Sequence, residues 1–449
     1  MSFSKQTKDS IAHLARLLIE NKGKVEQLNW PAPTRWGDIP DDIEYDKSEG
    51  ESLRISGEEY IRYQKCLQSL ESERSLEYMS RREIDRELWH LVCEIFIESD
   101  QIKDSKAIER KIVSFQKRLD RPTEKYEVLI PIENLEMGLH IHEIAGVKLF
   151  KMEPEYALSW GIKKGRPLHD ILYDAVINRT VAVLTEEGND PWKAVSRARD
   201  KLGTALNALR VSLVIDHKPR IVGWKIHDIE MLFKQSEHVG IRKQGDPSSV
   251  LSGWSRSFRK LELSVNDTLS KQLEESEKLI SYLFNGQIKG RICGTLIRAL
   301  EWIGDSITRE EIDGKIVDLC TALESLLATK QDKRKGELIA LRMTLLYTLL
   351  GKPFFDPVQL LEMYNKRSDI VHGSQRNICT DSDYTVGRWI ATDVFQKVLV
   401  YIQKKNIAQH AAFIRSLQSD KILVQKAVDF WKPYPEYYKD IVEACDSML

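Results

Sequence analysis

Arg367 and His372, five residues apart in the run YNKRSDIVHG, are the pair in this chain whose types suit chemistry on a phosphodiester. A histidine that titrates near neutrality moves a proton in either direction. An arginine offers a planar fork that matches two phosphate oxygens. The helix that must carry them is written around them. Asp356–Pro357 is a start: a capping carboxylate, then a residue whose missing N–H costs nothing in the first turn. Gly373 is the matching stop, because glycine takes the left-handed conformation that closes a helix. Between them, Leu360, Met363, Tyr364, Ile370 and Val371 share one stripe at helical spacing, with Arg367 in its middle. A guanidinium there must be paired or must face an anion. His372 falls in the last turn, at the carbonyl end of the helix, which attracts positive charge.

Five residues at ~100° each place Arg367 and His372 about 140° apart around the helix axis. From an undistorted helix they cannot aim straight at one phosphate. Either the long arginine bends round, or a second chain completes the site.

Other helices must hold this one in place. Ile316, Leu319, Cys320, Leu323, Leu326 and Leu327 form an apolar stripe, and Val386, Trp389, Ile390, Val394, Leu399 and Ile402 form another. Helices with one such stripe and short connectors pack as an antiparallel bundle, which puts Arg367 close to its interior.

The rest of the chain divides by texture. Residues 5–29 read as an amphipathic helix, with Ile11, Leu14, Leu17 and Leu18 on one face. The connector NWPAPTRWGDIPDD cannot continue it, because of Pro31, Pro33 and Pro40. Charged, helix-prone sequence runs from about Glu51 to Leu119, with Leu88, Leu91, Val92, Ile95 and Phe96 as its apolar face. Strand signals begin after Pro122, in YEVLIPIENL, LHIHEIAGVKLFKM and TVAVLTEEG. Asp190–Pro191 caps a helix with Ala194, Ala198, Leu202, Leu206 and Leu209 on its apolar side, and a strand pair is expected at VSLVID and RIVGWKI. From Asn266 onward the pattern is almost wholly helical. The expected class is α+β, multidomain and mostly α. A helical region occupies 1–121, a central mixed α/β domain 122–265, and a helical domain 266–449 with its core at about 310–405.

In this setting the motif gains weight. The run TALESLL, then ALRMTLLYTLLG, then YNKRSDIVHG resembles the Apea-like branch of the HEPN family, helical bundles marked by an Arg-x4-6-His signature ending the third core helix. RALEWIGDSI and AVLTEEGNDPWKAVSRARDKLGTALNALRVS are similar to the regions preceding that bundle. The resemblance covers roughly residues 290–405, and more loosely reaches back to about 125; residues 1–121 have no part in it. It implies metal-independent endoribonuclease activity, with 2′-OH attack on the adjacent phosphate leaving a 2′,3′-cyclic end. Carried over, His372 is the general acid or base and Arg367 the clamp on the phosphorane. The resemblance also implies a homodimer whose two motifs face one cleft. The implied setting is bacterial anti-phage defence or a toxin-like, abortive-infection role, with upstream domains sensing a trigger. A rival reading keeps the fold without the chemistry: Arg367 forms an interior ion pair, His372 merely ends a helix, and the bundle serves for dimerisation or ligand binding. In a third, the bundle is an accessory to a separate nucleotidyltransferase, since the Gly-Ser and Asp-x-Asp elements of such an enzyme are missing here.

Supporting candidates surround the pair. Glu324, at the edge of its stripe, can orient Arg367 or His372, or be a solvated helix glutamate. Ser368 and Asp369 lie within one turn of His372, and Asn365 and Lys366 precede the arginine. Lys330, Lys333, Arg334 and Lys335 make a basic loop that suits RNA phosphates, although such loops are commonly only solvated. Arg256, Arg259 and Lys260 are a weaker group of the same kind. His140 and His142 share a strand face but lack a third ligand, so neither metal nor cofactor is expected.

Composition sets the outer bounds. At 449 residues, the chain exceeds one simple core. Hydrophobic content of 42%, charged content of 30% and a net charge of −1 describe a soluble globular protein in which any polyanion site is a local patch. Six scattered cysteines with no CxxC pair indicate neither a zinc knuckle nor a disulfide framework, and fit a reducing cytoplasm. No apolar run approaches ~20 residues, so no membrane span is expected. A Walker-type glycine loop and a Gly-x-Ser-x-Gly elbow are both missing, which argues against NTPase, kinase and α/β-hydrolase chemistry.

Overall fold

Apolar residues at helical spacing become helices over most of the chain. The structure, a computed structural model, describes residues 3–20, 57–99, 104–133, 141–160, 176–216, 239–244, 280–351, 356–373 and 377–448, with short runs at 27–28, 43–45, 52–55, 173–174 and 234–235 and a few single positions. It is mostly helical with an antiparallel sheet, an α+β composition. Two compact units emerge: one comprises Met1–Val128, Thr185–Ala198 and Ile241–Ser249, the other Leu129–Leu184, Arg199–Gly240 and Val250–Leu449.

The first unit holds α1 (Lys5–Glu20), α2 (Gly57–Glu71), α3 (Arg81–Ile97) and α4 (Ser105–Leu119), which share a core of Leu14, Leu18, Tyr63, Leu67, Leu88, Val92 and Phe115. Ser80 caps α3 by accepting from the Glu83 amide at 3.2 Å, and Asp104 caps α4. The first helix is shorter than its expected span of 5–29: it runs to Glu20, and Gln27–Leu28 form strand β1. Gly23, with its low helix propensity, is the sequence signal against continuation. Strands β2 (Ile43–Tyr45) and β3 (Ser52–Ile55) complete a small antiparallel sheet in the order β1-β3-β2, so β3 occupies the start of the region expected to be helical from Glu51. The proline-rich connector lies outside the described residues.

The strand signals beyond Pro122 correspond to β4 (Glu124–Glu133), β5 (His142–Ile144), β6 (Val147–Lys151) and β7 (Thr180–Gly188). With β8 (Lys234–Gln235) and β9 (Gly240–Lys243) they form a sheet in the order β5-β6-β7-β4-β8, with β9 also pairing β4. The β5–β6, β6–β7 and β4–β8 pairings are antiparallel. Ala145 and Gly146, at φ 54° and 74°, make the two-residue turn between β5 and β6. A small core of Leu129, Phe150, Met152, Trp160 and Val181 lies behind these strands.

After a short helix, α5 (Pro154–Ser159), comes the long α6 (Pro191–Asp216), begun by Asp190, whose carboxylate accepts from the Lys193 amide at 3.1 Å. The strand expected at VSLVID is instead the last turns of α6. Val211, Leu213 and Val214 are buried there, and burial outweighs the weak β preference of valine. RIVGWKI lies outside the described residues.

The helical remainder comprises α7 (Arg291–Thr308), α8 (Ile312–Leu327), α9 (Lys335–Leu350), α10 (Pro357–Val371), α11 (Asp381–Lys405), α12 (His410–Gln418), α13 (Lys421–Asp429) and α14 (Pro435–Met448). Helix α8 is central and packs on α7, α10 and α11; all six residues of its stripe are buried. On α11, Ile390, Val394, Leu399 and Ile402 are buried, while Val386 and Trp389 are only partly covered. Among the described residues, no helix is long and apolar enough to cross a membrane.

Candidate active site and its two cavities

Helix α10 begins and ends where its capping residues place it. Asp356 Oδ1 accepts from the Val358 amide at 3.0 Å, and Asp356 Oδ2 accepts from the Tyr434 hydroxyl at 2.8 Å. At the far end the Gly373 amide bonds Ile370 O at 3.1 Å, with φ 70° at the glycine. Pro357, Leu360, Leu361 and Met363 are buried. The stripe does not stay covered along its length: Ile370 is half-buried and Val371 is 49% exposed. The helical phase is as expected, but among the described residues no neighbouring element covers the last turn. Two glycines bring α10 close to its neighbours. A Cβ on Gly336 would meet Tyr364 Cδ1 at 2.9 Å, and one on Gly387 would meet Met363 Sδ at 2.5 Å.

Arg367 points into a polar cluster built from three helices. Its Nη2 lies 3.1 Å from Glu324 Oε1, with the arginine side chain 24% exposed and the glutamate 18%. The same carboxylate oxygen accepts from the Tyr364 hydroxyl at 2.6 Å, and Lys335 Nζ is 3.5 Å from Oε2. The Arg367 guanidinium carbon is 5.6 Å from the Tyr364 ring centroid. Its Nε is buried and has no hydrogen-bond partner. Burial, then the bond to Glu324, pushes the Tyr364 phenol far up, so it stays a donor. Burial likewise raises the Cys320 thiol beneath this cluster, against the pull of Arg367.

A cavity of about 500 Å³ opens in front of this group. Asn365, Arg367 and Ser368 line it, with Lys333 and Arg334 on the facing loop, Lys335 at the start of α9, and Tyr437 and Asp440 on α14. A second cavity, of about 900 Å³, lies between α7, the loop after α8, and α12; Asp332 and Lys333 line both. His372 lines neither. It is exposed at the end of α10, its amide bonded to Ser368 O at 3.0 Å, and its ring meets no polar group among the described residues. Asp369 is exposed and makes no ion pair with it.

The expected basic residues separate into two kinds. Lys366 is held by Asp383 at 2.6 Å, and burial, which raises the Asp383 carboxyl, is outweighed by bonds from Lys366 and Thr380 that set it below the usual carboxylate range. Arg334 bonds Asp440 at 3.0 Å and also Glu443, and Lys335 faces Glu324. Lys330 and Lys333 are exposed and pair with no described residue. Arg256, Arg259, Lys260 and His140 lie outside the described residues. Among those described, no group of three metal-ligating side chains exists.

Sequence reasoning missed four groups around the larger cavity: Arg298, Arg342, His410 and Arg415. They come from helices far apart in the chain, and none belongs to a local motif, so only the packing of α7, α9 and α12 brings them together.

Comparison of the chain with models of protein families, with curated proteins and with solved structures finds no match.

Proposed function

We propose that the helical bundle cleaves RNA as a metal-independent endoribonuclease, acting as a homodimer in which Arg367 of one chain works with His372 of the other. One observation carries this reading: Glu324 and Tyr364 orient Arg367 at the wall of a cavity with its Nε unpartnered, while His372 stands exposed outside that cavity. Within one chain the two face different surroundings, which supports a site shared between two chains. In the reaction, the ribose 2′-oxygen bonds to the adjacent phosphorus and gives its proton to a base. The P–O5′ bond breaks, and the leaving oxygen takes a proton. The products are a 2′,3′-cyclic phosphate and a 5′-hydroxyl. His372 serves one of the proton transfers, and Arg367 stabilises the charge on the non-bridging oxygens. Ser368 and Asn365, on the same cavity wall, are placed to contact the substrate. A cytoplasmic bacterial defence or toxin-like effector, held in check until its upstream regions meet a trigger, is the setting that fits this activity.

The test is cleavage of RNA by the purified protein in EDTA, with product ends analysed. A cyclic phosphate that disappears in His372→Ala supports the reading; a 3′-hydroxyl product contradicts the mechanism. The pairing of Arg367 with Glu324 and of Glu324 with Lys335 favours the alternative, a catalytically silent dimerisation or ligand-binding module. RNA left intact by a protein that dimerises normally under every trigger tried would establish that alternative.

A further inference from the structure

The 900 Å³ cavity is within the size range of small-ligand sites, about 300–1,000 Å³. Its floor is already neutral. Buried Arg342 donates to Leu327 O at 2.7 Å and to Asp332 Oδ1 at 3.1 Å, and its Nε reaches the Gln418 amide oxygen at 2.9 Å with that amide oriented to accept. These bonds, with those from Thr329, outweigh burial and hold the Asp332 carboxyl below its usual range. His410 Nε2 is 2.8 Å from Leu326 O, and burial lowers its pKa, which leaves the ring uncharged at neutral pH. The one other acid on the lining, Glu324, is offset by Arg367.

Above this floor stand four cations with no partner among the described residues: Arg298 from α7, Lys330 and Lys333 from the loop, and Arg415 from α12. A single exposed lysine needs no explanation, because water solvates it. Four like charges brought by three elements around one concave site are different. All four are exposed, no carboxylate among the described residues pairs with any of them, and their charges converge on one concave surface. Multiply charged phosphate is the chemistry that answers such a site.

We propose that this cavity binds a phosphate-bearing ligand of nucleotide size, through Arg298, Lys330, Lys333 and Arg415. The ligand is either a free nucleotide or the backbone of an RNA strand. Neither Arg367 nor His372 lines this cavity, although Lys333 also lines the smaller one and Glu324, on this lining, holds Arg367.

The test uses the full chain in EDTA at physiological salt with three probes: ATP, inorganic pyrophosphate, and a fluorescent oligoribonucleotide made uncleavable by 2′-O-methylation. The fourfold variant Arg298→Gln/Lys330→Gln/Lys333→Gln/Arg415→Gln is compared with a charge-matched control, Lys404→Gln/Lys405→Gln/Lys421→Gln/Lys426→Gln. The expected result is binding of at least one probe that weakens about tenfold or more, with a shallower salt dependence, in the first variant and not in the control. Binding of ATP or pyrophosphate without the oligonucleotide identifies a free nucleotide; binding of the oligonucleotide alone identifies the RNA backbone. No measurable binding of any probe, or equal weakening in both variants, overturns the proposal. Should the fourfold variant fail to fold, Lys330→Gln/Lys333→Gln in the exposed loop carries the test, with a loss of about threefold expected. His372→Ala is expected to keep full binding, so failure of this site and failure of the nuclease reading remain distinguishable.

Discussion

The two cavities that meet at Asp332 and Lys333 use the same residue types in opposite ways. In the smaller, nearly every cation has a carboxylate: Arg367 and Lys335 share Glu324, and Arg334 takes Asp440 and Glu443. In the larger, Arg342 is paired, and four cations on the lining have no partner among the described residues. The difference teaches that a basic run has no single meaning. Lys330, Lys333, Arg334 and Lys335 are near neighbours in sequence, yet two are held in ion pairs and two have no partner among the described residues.

The largest expected effect breaks the smaller cavity. If Arg367 is a phosphate clamp, Arg367→Ala and His372→Ala each lower RNA cleavage about 10²–10⁴-fold while the fold survives, as monitored by circular dichroism. Glu324→Gln separates the two roles of the carboxylate. It keeps the shape but removes the charge that orients Arg367, so activity falls with little change in melting temperature; a purely structural pair would reverse that pattern.

Mixed dimers sharpen the same point. When one chain lacks Arg367 and the other lacks His372, a shared arrangement leaves one intact site in two, and activity recovers to about half that of the parent. A site contained in a single chain recovers nothing.

A third comparison lies along α10. Leu360→Ala removes a fully buried side chain and is expected to cost about 2–5 kcal/mol in chemical denaturation. Val371→Ala, on the uncovered last turn, is expected to stay within about 0.5 kcal/mol. A large loss at Val371 in the assembled dimer would mean that the partner chain covers this turn.

The smallest effect concerns His410, in the larger cavity. Its folded pKa is depressed, so protonation opposes folding. Its contribution is intact above the ordinary value of 6.5 and is lost as pH falls through the lower folded value. The parent melting temperature should therefore drop more between pH 7 and pH 5.5 than that of His410→Gln. Equal slopes would place the titration elsewhere.

Much of this was legible in one dimension because caps and stripes are local. Asp356, Pro357 and Gly373 bound α10 as their chemistry dictates, and the α8 stripe is buried at every position. The failures are equally physical. VSLVID carries β-branched residues, but a helix already under way and a buried face decided its state. Val371 has the right phase for the core, yet phase cannot say where the covering helices stop. Arg298 and Arg415 lie 117 positions apart (415 − 298), and no pattern in the chain joins them before α7 and α12 frame one cavity.

The Tyr434–Asp356 bond has a consequence for the order in which the protein is made. The motif helix is finished by residue 373, but the phenol on its cap and the acids that restrain Arg334 arrive only with residues 434–443. A chain still being translated, or one cut short by a premature stop in that interval, has Arg367 and His372 without the wall that α14 contributes to the cavity. Synthesis itself therefore delays completion of that cavity until its last wall has been made.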